Sequence, residues 1–373
     1  MKYKNIAFFI SLFLFSCQNE ENKNTNYDYF FQITESLQFP IDSQTSYEAE
    51  MISLFDNYLV SESQKKNSIQ FYDMNTKIKK HEVFLEKFGD NGVGKLIGSY
   101  VETLDSIYVM GSHRNKIYLV NQKGEVLDKL DTKYDVNGKT YGTQIGGTAF
   151  PLHKIGNVFY FTSLPHEENV MGSAMELKYD LEKREMYPSF YYPEEYNKME
   201  HTWFFYLTKA LVNKEKAVYS FSASPFLHVK EKETIRKISI QSDYAQNKIL
   251  SLPAELPRDK DEYTNLYLEN NIYLSIIYDK YREVYYHFFG LPIDAIDKKT
   301  GKQNTPADKP FSIIVYDKDF NKIGEYLPKE NHYLHNTYFV DEKGLWISDN
   351  HVNNPNLDEN KLSFRLFELV EMN

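Results

Sequence analysis

A short alternating apolar segment returns six times along this 373-residue chain, and it limits the possible folds more than any other feature. It reads Tyr58-Leu59-Val60, Ile107-Tyr108-Val109, Val158-Phe159-Tyr160-Phe161, Val218-Tyr219-Ser220-Phe221, Val284-Tyr285-Tyr286 and Leu345-Trp346-Ile347. The first residues are 49, 51, 60, 66 and 61 positions apart. A second segment follows each: Ile69-Gln70-Phe71-Tyr72-Asp73, Ile117-Tyr118-Leu119-Val120-Asn121, Leu177-Lys178-Tyr179-Asp180, Ile235-Arg236-Lys237-Ile238, Ile313-Ile314-Val315-Tyr316-Asp317 and Phe364-Arg365-Leu366-Phe367. Several run straight into turn chemistry, as in Asn121-Gln122-Lys123-Gly124 and Asp317-Lys318-Asp319-Phe320-Asn321. Asp, Asn and Gly accept the tight or left-handed backbone that a hairpin needs.

Six such units read as the blades of a β-propeller. One four-stranded sheet cannot bury both of its faces alone, so the blades must stack around an axis. The expected class is therefore all-β, a six-bladed propeller occupying residues 27–373. The early strand at Tyr29-Phe30-Phe31-Gln32-Ile33 is placed to pair with the final strands near Phe364 to Leu369 and close the ring. The rival is a pair of packed β domains divided around Tyr187 to Tyr196. Composition agrees with a β chain: 31 Tyr and 26 Phe favour half-buried pleated surfaces over helices. The one tolerable helical candidate, Glu195 to Leu211, fits a strand equally well.

The first sixteen residues have a different character. Lys2 and Lys4 precede an apolar run from Ile6 to Phe15, and Leu14-Phe15-Ser16-Cys17 ends it at the only cysteine of the chain. The run is about half of the ~20 residues that a spanning helix needs. Basic residues ahead of it and small residues at its end mark a signal to be removed. Cys17 at the cut site is then the point of lipid attachment, and more than one acyl chain is what stable anchoring requires. Residues 17–26 become an acidic tether. The expected location is the cell envelope, anchored by lipid to the outer membrane, on either its periplasmic or its exposed side. Gln18-Asn19-Glu20-Glu21 resembles, loosely, the signal that exports Bacteroidetes lipoproteins to the outer face. Removing two lysines moves the formal charge from −10 to about −12, which argues against nucleic acid as a partner.

Three stretches carry a family likeness. They are Phe88-Gly89-Asp90-Asn91-Gly92-Val93-Gly94 with Asp105-Ser106-Ile107-Tyr108, then Phe311 to Asp317 leading to Gly324-Glu325. The third is the tail, Gly344-Leu345-Trp346-Ile347-Ser348 with Asn353-Asn354-Pro355-Asn356 and Leu362-Ser363-Phe364. From about Tyr27 onward the chain resembles the domain of unknown function 4221 family of Bacteroidetes lipoproteins. The resemblance implies a propeller-like lipoprotein and brings no catalytic residues with it.

Candidate binding residues are His201, Trp203 and Tyr206 in an aromatic run, His335 of the His332/His335 pair, and His351 in the tail loop. An aromatic platform can stack on sugar rings or peptide side chains, although large aromatics mostly serve burial. The histidine pair lacks HExxH or cysteine partners for zinc. The oxygen-rich loop Asp349 to Glu359 lacks the spacing and central glycine of a calcium loop, so turn chemistry is the better account and no metal or cofactor is expected. Gly89, Gly92 and Gly94 read as a turn between blades, because no P-loop pair follows them. Neither a Gly-x-Ser-x-Gly elbow nor sialidase Asp boxes occur. Two functions remain. The preferred one is a non-catalytic binding or scaffold propeller that holds a protein, peptide or glycan at one end of the central channel. The other is an exported polysaccharide-acting enzyme with acid and base groups meeting in that channel. Residues 288–310 form an insertion, polar and proline-bearing after Ile296, that fits a mobile loop beside whichever face is used or, equally, an idle connection.

Overall fold

Hairpin chemistry at the strand ends organises the molecule. The computed structural model describes residues 27–49, 51–112, 115–164, 173–193, 207–246, 260–298 and 300–372. Within them the carboxylate or amide oxygen of the residue opening a turn accepts backbone N–H groups two to four residues on. Asp73 takes Asn75 and Thr76, Asn121 takes Lys123 and Glu125, Asp180 takes Glu182 and Lys183, and Asp317 takes Asp319 and Asn321. These Asx turns reverse the chain tightly and set antiparallel register.

The first strand, β1 (Tyr29–Pro40), belongs to the last blade. Blade 1 is β2 (Ile52–Phe55), β3 (Tyr58–Ser63), β4 (Ser68–Asp73) and β5 (Lys79–Phe84). Blade 2 is β6 (Leu96–Thr103), β7 (Ser106–Gly111), β8 (Lys116–Val120) and β9 (Val126–Asp131). In blade 3 the inner strand is split into β10 (Thr143–Ile145) and β11 (His153–Ile155), followed by β12 (Val158–Leu164), β13 (Ala174–Asp180) and β14 (Glu185–Tyr191). Blade 4 is β15 (Leu207–Leu211), β16 (Lys216–Phe221), β17 (Phe226–Glu231) and β18 (Thr234–Ser239). A helix, α1 (Lys260–Glu269), precedes blade 5, which is β19 (Ile272–Asp279), β20 (Val284–Gly290), β21 (Phe311–Tyr316) and β22 (Lys322–Tyr326). Blade 6 is β23 (Tyr338–Val340), β24 (Leu345–Ser348) and β25 (Lys361–Glu371), with β1 as its outer strand.

The arrangement is thus mostly β, in six sheets arranged as the blades of a propeller. β1 pairs antiparallel with β25 from Tyr29↔Glu371 to Pro40↔Lys361, so the two ends of the chain close the ring. Every first-type segment lies on the second strand of its blade. Five second-type segments lie on the third strand, but Ile235 to Ile238 lies on the outer strand β18 and Phe226–Glu231 is the true third strand. The candidate helix at 195–211 ends in strand β15; its earlier part lies outside the described residues. The sequence pattern does not predict α1.

Apolar contact between neighbouring blades supplies the core. Val60, Phe71 and Val109 join blades 1 and 2, while Met110, Phe159 and Phe161 join blades 2 and 3. Phe190, Leu207 and Tyr219 join blades 3 and 4. Phe39, Tyr72, Trp346 and Phe364 seal the closing interface of blades 6 and 1. β20 and β21 are buried at every residue, so their sequences run as apolar stretches with little alternation.

Strand direction gives the disc two unlike ends. At one end the turns are two to five residues, such as 56–57, 104–105, 156–157, 232–233 and 317–321. At the other lie the longer connections, including 85–95, 132–142, 291–310, 327–337 and 349–360, together with α1. β1 begins opposite Glu371, so the chain enters the propeller at the short-turn end. Among the described residues no helix is long and apolar enough to cross a membrane.

Candidate functional site: a neutral cleft between blades 4 and 5

The long-loop end carries a cleft of about 320 Å³ between blades 4 and 5. Ser222 comes from the β16–β17 turn, Ser239 from the end of β18, and Gln241 and Gln246 from the segment that leaves it. Asn271 and Tyr273 open β19, and Phe289 lies near the end of β20. The volume falls within the usual range for small-ligand sites. Among the described residues lining it there is no Asp, Glu, Lys, Arg or His. Amides, hydroxyls and an aromatic wall make up its described lining.

Tyr273 is the rigid element of that wall. Its hydroxyl donates to the Ile240 carbonyl at 3.0 Å. Its ring lies nearly parallel to the His287 imidazole at 5.2 Å and meets Phe289 edge-on at 4.9 Å. Burial pushes its phenol well above the ordinary tyrosine value, so it stays a neutral donor. Beneath it Ser220 Oγ and His287 Nε2 are 2.9 Å apart, the spacing of a nucleophile and its base. Both are buried, at 1% and 0% exposure, and burial lowers the imidazole to about 3. An imidazole that resists protonation this strongly is a poor general base near neutral pH. Among the described residues His287 Nδ1 also has no hydrogen-bond partner to orient it. The pair is a core contact.

A segment of blade 3 crosses between inner strands at the long-loop end. Between β10 and β11 the inner strand of blade 3 leaves the sheet over residues 146–152 and reaches across to other blades. Gly146 lies against Ile97 and Gly98 of blade 2, where a side chain on Gly146 would meet the Ile97 carbonyl at 2.1 Å. Thr148 Oγ1 accepts the Ile52 amide of blade 1 at 3.1 Å, and its carbonyl accepts the Tyr338 hydroxyl of blade 6. Because Ile52, Ile97 and Tyr338 all stand at the starts of inner strands, this segment bridges the long-loop mouth of the channel.

A group of charged side chains converges at the interface of blades 3 and 4. Lys209 of β15 and Glu176 of β13 form an ion pair at 2.7 Å, with side chains 1% and 0% exposed. Tyr219 donates to Glu176 at 2.8 Å, and burial together with Lys209 lowers the His153 imidazole to about 3. Burial also lowers the Lys209 ammonium from its ordinary value. The group is sealed in the interface of blades 3 and 4, so it lacks the access that a catalytic pair needs.

The sequence candidates fall in different places. His201, Trp203 and Tyr206 lie outside the described residues, as does Cys17. His335 and His351 both stand on the long-loop end, in neighbouring connections of blade 6. His351 is buried; its Nε2 donates to the Ala307 carbonyl at 2.9 Å and its Nδ1 accepts the Asn353 amide at 3.1 Å. Both ring nitrogens are thereby used within the protein. Burial lowers His335 to about 4, helped by nearby Lys309 and His351, and its ring meets Phe311 edge-on. The tail loop spends its oxygens internally: Asn350 accepts the Ser363 amide, and Asp349 holds Arg365. Among the described residues no cluster of three or more His, Cys, Asp or Glu is placed to hold a metal ion.

Gly89, Gly92 and Gly94 lie in the connection of blades 1 and 2. There Gly89 and Gly94 have positive φ, and Asn67 clamps the turn through the Gly94 carbonyl and the Leu96 amide. The described residues of the insertion after β20 make hydrogen bonds to α1 and to one another. Ile293 N–H donates to the Leu268 carbonyl at the end of α1, and Ile296 bridges to Gln303. Lys309 is buried, with Nζ donating to the Leu268 and Asn270 carbonyls at 2.8 and 2.7 Å. Desolvation brings that amine down to about 7 while it caps the helix end.

Comparison with known proteins places the chain. Residues 28–327 match the family described as "Domain of unknown function (DUF4221)", and the chain belongs to that family. The crystal structure of a DUF4221 member from Bacteroides vulgatus ATCC 8482 is similar, with a TM-score of 0.78 and 25% identity over 93% of this chain and 100% of that one. A Bacteroides fragilis NCTC 9343 protein, whose name marks it as expected to be exported, shares the fold. Its TM-score is 0.55 and its identity 9%, over 95% of this chain and 98% of that one. No curated protein sequence matches the chain.

Proposed function

We propose that this DUF4221 protein is a non-catalytic, lipid-anchored propeller of the cell envelope that binds an uncharged polar ligand, a glycan or peptide segment, in the cleft between blades 4 and 5. The observation that carries the reading is the cleft's lining: Ser222, Ser239, Gln241, Gln246 and Asn271 around Tyr273, with no ionisable acid or base among them. Such walls hydrogen-bond hydroxyls and amides and stack on flat or ring-shaped groups, while they offer nothing to move a proton in a hydrolysis. Cys17 carries the lipid in this reading. The short-turn end, where the chain enters, then faces the bilayer and the cleft faces away from it.

The test is a titration of the mature chain against neutral oligosaccharides and unstructured peptides. Ala245→Trp fills the cleft from its rim and is expected to abolish binding. Gln241→Ala with Gln246→Ala removes two exposed partners and is expected to weaken it by about tenfold or more, at roughly 1 kcal/mol per hydrogen bond. Equal binding by all three proteins removes the cleft from the account. Turnover of an oligosaccharide in the same assay establishes the enzyme instead.

A further inference from the structure

A chain with formal charge −10 gathers lysines at one place on its short-turn end. Two adjoining hollows of about 260 and 230 Å³ lie between and beside blades 3 and 4, and they share Tyr160 and Lys178. Lys178, Lys183, Lys214, Lys216, Lys230 and Lys232 line them, against Asp180, Glu215 and Glu233. Lys216 pairs with Glu231 at 3.3 Å and Lys232 with Glu215 at 4.0 Å. The other four have no carboxylate partner among the described residues.

Neutral groups hold several of these lysines in place. Lys230 Nζ donates to the Ser189 carbonyl at 2.8 Å, and the ammonium groups of Lys178 and Lys183 lie 5.7 and 6.0 Å from the centre of the Tyr187 ring. The side chains are thus positioned without being neutralised. All six belong to turns or strand ends on the same face, the one at which β1 enters the propeller.

We infer that this groove docks the propeller onto an anionic membrane surface, with the lysines against lipid phosphates. The inference rests on the lipid-anchored reading, which puts this face toward the bilayer at the end of a short tether. Nine residues, 18–26, reach at most about 30 Å when extended, so the face stays within contact distance of headgroups. One acyl anchor leaves a domain free to tumble. A basic patch on the tethered face adds a second attachment and fixes which end points outward.

The experiment uses the mature chain carrying Cys17→Ser, so that no acyl chain contributes. It is sedimented with vesicles of phosphatidylcholine alone or with 30% phosphatidylglycerol (about that fraction, chosen to give a strongly anionic surface). Binding is expected only to the anionic vesicles and is expected to weaken as salt rises, since exposed charges are screened within about 10 Å at 0.1 M. Reversing three lysines, Lys178→Glu, Lys214→Glu and Lys230→Glu, is expected to reduce binding by about tenfold or more. The same charge change on the opposite face, Lys298→Glu, Lys302→Glu and Lys329→Glu, is expected to leave most of it. Circular dichroism on both variants separates lost docking from lost folding. Equal binding to both vesicle types, or equal loss in both variants, overturns the inference. Binding of inorganic phosphate without vesicle binding also overturns it, leaving a small-anion site. Failure of the anchor itself is read separately, from the mass of the wild-type protein extracted from membranes, which shows whether residue 17 is acylated.

Discussion

Lys209→Met is expected to destabilise the propeller by about 3–5 kcal/mol, far more than its single ion pair would contribute at a surface. The Lys209–Glu176 pair is 2.7 Å long and out of contact with water. Removing the ammonium leaves a carboxylate buried between blades 3 and 4, with the Tyr219 hydroxyl as its remaining close donor among the described residues. The cost is that of an uncompensated buried charge, not of a lost attraction. Glu176→Leu combined with Lys209→Met removes both charges, so the double variant is expected to recover most of the loss. Urea denaturation of the wild type, the two single variants and the double variant gives the coupling energy directly. Losses in the single variants that simply add in the double would show that the pair acts as two independent side chains.

Phe39→Ala is expected to cost a similar amount, about 3–5 kcal/mol, and to act at one place in the ring. Phe39 is wholly buried on β1, with its ring edge-on to Tyr72 of blade 1 and Phe364 of blade 6. It therefore fills the interface at which the chain's two ends meet. Opening there frees β1 and β25 without first unpairing any other blade. Hydrogen exchange is expected to show protection lost in Lys361–Glu371 ahead of the remaining strands. Phe161→Ala removes an equally buried ring from blade 3 and is expected to lower stability without that selective opening. Uniform loss of protection in both variants would mean that the closing interface has no separate stability.

The sequence makes the blade repeat legible because the second strand of each blade holds a short run of apolar residues. Asx turns also punctuate the chain at Asp73, Asn121, Asp180 and Asp317. It misleads in blade 4 for a physical reason. Only β17 alternates, and the apolar pair Ile235 and Ile238 advertises a strand whose side chains are largely exposed. The buried Leu227 and Val229 of the true third strand are broken up by His228 and Lys230. α1 escapes notice because only Leu268 of its last turn is fully buried, so no apolar stripe repeats along it. The bridge over the channel mouth is visible only as Gly146-Gly147 and Pro151, which mark a break in a strand but not its destination.

The cleft was illegible for a different reason. Ser222, Gln241, Asn271 and Phe289 lie far apart in sequence, and none of them carries a motif. They meet only because blades 4 and 5 pack together. Histidines and aromatic runs attracted attention as chemistry-bearing residues, yet His351 and His335 are engaged in holding loops of blades 5 and 6 in place. Chain direction, by contrast, is the useful signal: once β1 pairs with β25, Tyr29 must stand at the end opposite the long connections.

That orientation is the centre of the account, and fluorescence transfer to the bilayer tests it most directly. Cys17 is the only cysteine, and in the lipid-anchored protein its thiol is consumed, so a single introduced cysteine labels one site. Asn157→Cys marks an exposed short turn and Lys302→Cys an exposed position in the long connection of blade 5. With the wild-type anchor in vesicles bearing an acceptor dye in the headgroup plane, transfer is predicted to be strong from position 157 and weak from position 302. Stronger transfer from position 302 than from 157, in protein shown by mass to be acylated, would contradict the account.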